Sequence, residues 1–177
     1  MELDPDDGAA HCAMGKARIV RQEHAQAIPD LKLATELNPS LAWAHYGLGA
    51  AALFSGNPQD AIANLESAIR LSPRDQHMGS FMVRLAEAYL LMRDYHLAVD
   101  WARRALQQQG FQWSRYAALL AGLGYLDERE EAGRVLSECL QQRPDFSVAM
   151  VRDGHLYTDA SAIEHYLDGL RKAGAPD

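Results

Sequence analysis

Apolar and small residues recur every three or four positions along most of the chain. The first such stretch runs Ala10, Ala13, Met14, Ala17, Val20, then breaks at Arg21-Gln22-Glu23 and resumes at Ala27, Leu31, Ala34. That pattern predicts a helix-turn-helix pair. The next segment, Ala42 to Pro73, repeats the plan of Gly8 to Pro39 shifted by 34 residues: His11, Met14, Gly15, Ala27, Leu31, Ala34 and Pro39 fall on His45, Leu48, Gly49, Ala61, Leu65, Ala68 and Pro73. A third copy, with Met82, Leu85, Ala86, Tyr89, Ala98, Ala102 and Ala105, follows after 37 residues. The fourth returns to 34, with Tyr116, Leu119, Leu123, Ala132, Leu136, Cys139 and Pro144. Self-similarity at a fixed period of this size signals a stacked repeat architecture.

Local signals fill in the turns. Ser40 is placed to cap a helix over 41–55, Gly56 to end it, and Asn57-Pro58 to open the next. Alanine at 27 and 61 suits a close crossing of the two helices in a pair. The three extra residues before the third copy fall around Arg74 to His77, where Asp75 is expected to cap a helix lengthened at its N-terminal end. Asp127 to Glu131 reads as a turn, with acidic residues in a first helical turn favoured by the helix dipole. Beyond Pro144 one short helix is expected from Phe146 to Gly154. A longer one, Ser161 to Ala173, carries Ile163, Tyr166, Leu167 and Leu170 on one face and suits an end cap with a polar outer side.

The expected organisation is therefore repeats at 8–39, 42–73, 79–110 and 113–144, followed by a capping segment at 145–177. Glu2-Leu3-Asp4-Pro5 matches the endings Glu-Leu-Asn-Pro at 36–39 and Arg-Leu-Ser-Pro at 70–73, so residues 1–7 read as the close of a further upstream repeat.

Composition narrows the chemistry. A formal charge of −7 argues against a general nucleic-acid binder. The two cysteines, Cys12 and Cys139, lack the spacing of a zinc or redox motif and read as core residues in a reducing compartment. No apolar run approaches the ~20 residues a membrane span needs, and the acidic N-terminus is no secretory signal. The chain is expected to be cytoplasmic, a monomer or a weak homodimer. His11 and His45 occupy equivalent positions and suit a half-buried packing role, without metal-binding spacing. The dispersed glycines form no phosphate loop, and no serine sits in a nucleophile elbow. Neither enzyme activity, nor a cofactor, nor a metal is expected.

The residues His45-x-x-Leu48-Gly49, Ala61-x-x-x-Leu65, Ala68 and Pro73 resemble the tetratricopeptide repeat, and four consecutive units cover 8–144. Histidine replaces the first aromatic in units one and two, Arg18 and Ala52 stand where Tyr is usual, and Gly110 replaces a closing proline. The resemblance implies an all-α fold, a right-handed α-solenoid of antiparallel hairpins, whose first helices line a concave groove for a protein or peptide. Matching positions give Lys16, Trp43, Tyr46, Ala50, Leu53, Val83, Arg84 and Glu87 as groove residues, with Trp43 and Tyr46 as aromatic anchors. The chain's own C-terminal helix is a candidate occupant. The tail from Gly169 to Asp177 resembles the ends of bacterial class III nucleotide cyclases and winged-helix regulators that carry such repeats, implying a module of a signalling protein.

Overall fold

The computed structural model describes residues 7–177, and among these it is all helical. The first helix, α1 (Gly8–Val20), is capped by the Asp7 carboxylate, which accepts from the backbone N–H groups of Ala9 and Ala10 at 2.8 and 3.2 Å. It pairs with α2 (His24–Leu37). The pattern continues with α3 (Ala42–Phe54) and α4 (Pro58–Leu71), α5 (Met78–Leu91) and α6 (Tyr95–Leu106), and α7 (Trp113–Leu126) and α8 (Arg129–Gln142).

Each pair turns through one residue with left-handed backbone: Gln22, Gly56, Arg93 and Asp127, at φ of 59°, 80°, 63° and 56°. These positions step through the chain at the spacing of the sequence repeat. Five residues further on, Ala27, Ala61, Ala98 and Ala132 are all but inaccessible at the crossing of the two helices. There Leu31 fills the space left by Gly15 of α1 and Gly47 of α3, and Leu65 packs in the same way on Gly49. Larger residues at these glycines would hold the helices apart.

Consecutive first helices touch one another, α1 on α3, α3 on α5 and α5 on α7, while the second helices contact mainly their neighbouring first helices. The first helices therefore lie on the inside of the curve.

Two turns differ from expectation, and a third is closed by a buried arginine. Ser40 does not cap α3; its hydroxyl donates to Asn38 Oδ1 at 2.8 Å, and Leu41 occupies the cap position. The insertion before the third pair does not lengthen α5. Asp75 instead accepts from the His77 N–H at 2.8 Å within the turn, and the helix starts at Met78. At the α6–α7 connection the buried Arg115 reaches back to the carbonyl oxygens of Gln108, Gln109 and Gly110 at 2.8, 3.2 and 3.0 Å.

After α8 come α9 (Val148–Gly154) and α10 (Ala160–Lys172). The C-terminal helix follows the last pair and packs on the repeats. The apolar face of α10 lies against the inner helices α7 and α5, burying Ile163, Tyr166, Leu167 and Leu170. The rings of Tyr95, Tyr125 and His165 cluster together, the Tyr125 centroid 4.5 Å from each of the other two, which lie 6.1 Å from one another. The Tyr125 hydroxyl lies 2.9 Å from His165 Nδ1 and 2.9 Å from Asp168 Oδ2.

Candidate functional site

Between α9 and α10, residues 155–159 cross the inner face as an extended strap. Its main chain does much of the binding. The His155 carbonyl accepts from Gln22 Nε2 at 3.2 Å, the Leu156 carbonyl lies 2.7 Å from His24 Nε2, and the Thr158 N–H donates to the Phe54 carbonyl at 2.9 Å. Only Tyr157 is fully buried. Its ring meets Phe54 edge-on at 5.1 Å, and its hydroxyl donates to Glu87 Oε2 at 3.2 Å.

Beneath the strap, Glu87 is 3% exposed and also accepts from Arg84 Nη1 at 2.6 Å. Burial pushes the Glu87 carboxyl up, against the pull of Arg84. Burial likewise disfavours the guanidinium, but Glu87 beside it outweighs that and holds Arg84 above its ordinary value. Burial also raises the Tyr157 hydroxyl well above the usual range, so it stays protonated and serves as donor.

Of the cavities that border the strap, two meet at Leu156. One, of about 260 Å³ and open to solvent, is lined by Lys16, Ile19, Val20, Trp43, Tyr46, Ala50 and Phe54, with Arg84 and Leu156 at its edge. Its walls are largely hydrocarbon and aromatic. Lys16 Nζ sits 3.7 Å from the Trp43 ring centroid, a favourable cation–π geometry. The other cavity, of about 230 Å³, lies between Trp113, Gln112 and Ser114 on α7 and its approaches and Tyr157 and Tyr166, and Arg84 and Leu156 border it as well. A chain of inward first helices with an apolar cavity can hold a side chain of another polypeptide. Among the described residues no group of three or more His, Cys, Asp or Glu is placed to hold a metal ion.

A family profile described as the tetratricopeptide repeat matches residues 12–76 and again 46–112. The chain belongs to this family. Tetratricopeptide-repeat proteins are in general scaffolds for protein interaction. No curated protein matches the chain. Among solved structures, the repeats are similar to YrrB, described as a TPR protein with an unusual peptide-binding site, at 21% identity and a TM-score of 0.67, covering 95% of this chain and 85% of that one. They are also similar to PilF of Pseudomonas aeruginosa, at 16% identity and a TM-score of 0.71, covering 96% and 78%. MamA gives 19% identity and a TM-score of 0.67, covering 98% and 94%. At these identities the likeness is one of fold: an α-solenoid.

Of the groove residues expected from the repeat pattern, Lys16, Trp43, Tyr46, Ala50 and Arg84 border the first cavity. The other three are covered. Leu53 and Val83 are fully buried in the helix packing, and Glu87 lies beneath the strap, where it borders the second cavity. At the end of α3 it is Phe54, one residue on, that meets the strap and the cavity. Trp43 and Tyr46 have a second job, because both rings contact Phe81 of the next repeat, at 5.1 and 4.8 Å. Val20 and Leu156 were not among the expected residues. Val20 is 70% exposed at the cavity rim, an exposed valine at the end of α1 being the only signal. Leu156 gave none, since its contacts come from far along the chain.

No helix among the described residues is long and apolar enough to cross a membrane.

Proposed function

We propose that this tetratricopeptide solenoid is a recognition module that seats an apolar side chain of a peptide or neighbouring domain in the cavity between α1 and α3. The observation that supports this reading is the cavity's makeup: an open, mostly apolar hollow of about 260 Å³ on the inner face, edged by one ammonium group at Lys16. Aromatic walls of this kind are frequent energetic centres of interfaces. The module acts as a monomer or a weak homodimer and transforms no substrate.

The test begins with peptides selected against the intact chain from a displayed random library. Val20→Glu should weaken their binding at least tenfold and leave the melting temperature unchanged, because Val20 is largely exposed and supports no core. Lys16→Glu should weaken acidic peptides preferentially. Undiminished binding in both variants removes this cavity from consideration.

A second reading makes the repeats a regulatory segment of a larger bacterial signalling protein, acting on a nucleotide cyclase or winged-helix domain of the same polypeptide. It draws support from the strap, since a groove closed by its own chain already makes an intramolecular contact. A gene that encodes no such domain beside the repeats would exclude it.

A further inference from the structure

The two cavities beside the strap share two walls, Arg84 and Leu156. Arg84 belongs to α5, the floor. Leu156 belongs to the strap. The division between the cavities is therefore made above the floor by Leu156 and Tyr157, and lifting these residues joins the hollow at Trp43 to the hollow at Trp113 across three consecutive inner helices.

The strap and α10 are held very differently. Leu167 and Leu170 of α10 are fully buried, whereas Thr158 is exposed, His155 and Leu156 are half-buried, and Tyr157 alone is inserted. The rest of the strap's grip is chiefly main-chain hydrogen bonding to Gln22, His24 and the Phe54 carbonyl, to which the Thr158 hydroxyl also donates at 3.3 Å. Such bonds are indifferent to sequence, and any extended segment can make them. What selects among segments is the Tyr157 site. An aromatic ring must fit against Phe54, and a hydroxyl must donate to the buried Glu87 carboxylate, which loses one of its two partners when Tyr157 leaves.

We propose that residues 155–159 are a tethered ligand, displaced when the groove takes an extended partner segment bearing a tyrosine that replaces Tyr157 on Phe54 and Glu87. The proposal rests on the recognition reading above and specifies its ligand and its regulation. The closed chain competes with the partner at the effective concentration of a short tether, on the order of millimolar. Removing that competition raises affinity without creating a contact.

The probe is a fluorescein-labelled synthetic peptide copying residues 152–161, titrated by polarisation into the intact chain and into full-length Tyr157→Ala/Thr158→Pro. Thr158→Pro removes the N–H bonded to the Phe54 carbonyl, and both substitutions lie in the strap itself, leaving Phe54, Arg84 and Glu87 unchanged. The peptide should bind the variant at least tenfold more tightly than the intact chain. Exchanging its tyrosine for phenylalanine should cost at least tenfold in that binding. Equal binding to both proteins, or binding to neither while the variant keeps its helicity, overturns the proposal. Should the variant lose its fold, amide exchange on the intact chain decides: the Thr158 amide is expected to exchange at least a hundredfold faster than that of Leu170, and equal rates overturn the proposal. Library peptides that bind through Val20 and Lys16 with no gain in the strap variant would leave the recognition reading standing and reject the tethered ligand.

Discussion

Gly124 of α7 and Gly169 of α10 meet backbone to backbone: a Cβ added to Gly124 would overlap the Gly169 carbonyl oxygen. This contact fastens α10 to the inner face, and no flexible side chain is there to give way. Gly124→Ala is expected to destabilise by about 3 kcal/mol, the upper end of ordinary overpacking, despite alanine's better helix propensity. The control is Gly133, exposed on α8 with open space at its Cβ position, where Gly133→Ala should stabilise by roughly 1 kcal/mol. Thermal melts of the two variants should move in opposite directions.

The turn residues offer a second comparison. Gln22, Arg93 and Asp127 hold left-handed backbone that only Gly56 adopts without a Cβ penalty. Arg93 is exposed and its side chain forms no ion pair with a described residue. Arg93→Gly should therefore stabilise by about 1 kcal/mol, the relief of a left-handed residue offset by the greater freedom of glycine in the unfolded chain. A fall in the denaturation midpoint would contradict this.

Arg115 replaces a terminating proline by a different device. Its guanidinium takes three carbonyls at the end of α6 and the Gln112 side chain at 3.2 Å, and burial away from any carboxylate lowers its pKa. Arg115→Met fills similar space and donates nothing. The expected loss is about 2 kcal/mol, allowing water to reach the more exposed carbonyls. Chemical denaturation should show it, with faster exchange of amides in 107–112.

Acid should loosen the docking of α10. Burial lowers the His165 pKa below its ordinary 6.5, with Arg93 and Lys172 pushing the same way and the Leu90 carbonyl and Asp168 opposing. An unfolded chain takes up a proton below pH 6.5 that this imidazole resists, so stability is full above that pH and falls as pH drops towards 5. His155 in the strap is lowered too, chiefly by burial. Glu87, raised by burial, acts in the opposite sense. The diagnostic quantity is therefore a difference: the stability gap between the wild type and His165→Asn should narrow from pH 7 to pH 5. A gap independent of pH would refute the assignment.

Much of the fold was legible because it is local. Helix periodicity, the alanines at 27 and 61 and the Asn57-Pro58 turn involve neighbours in sequence, and the repeat copies each signal. Turn details such as Ser40 and Asp75 differ because short-range bonds inside the turn engage these side chains: Ser40 donates its hydroxyl and its N–H to Asn38 Oδ1, and Asp75 accepts from the His77 N–H. The site was legible in part. Repeat position marked Lys16, Trp43 and Tyr46, but it could not show that Trp43 and Tyr46 also lock onto Phe81. Truncating both is thus a poor binding test, since it weakens the stack as well. The strap left no sequence trace at all. Its contacts with Gln22, His24 and Phe54 join residues more than a hundred positions apart, and no periodicity encodes them.

A coil of stacked hairpins behaves as a spring, lengthening when small rotations between neighbours add up. In this chain the strap ties the turn beside Gln22 and the end of α3 to the root of α10. It works as a brace that fixes the pitch of the first half. Whatever unseats Tyr157 therefore removes a tie between the first half of the coil and its last helix as well as opening the groove.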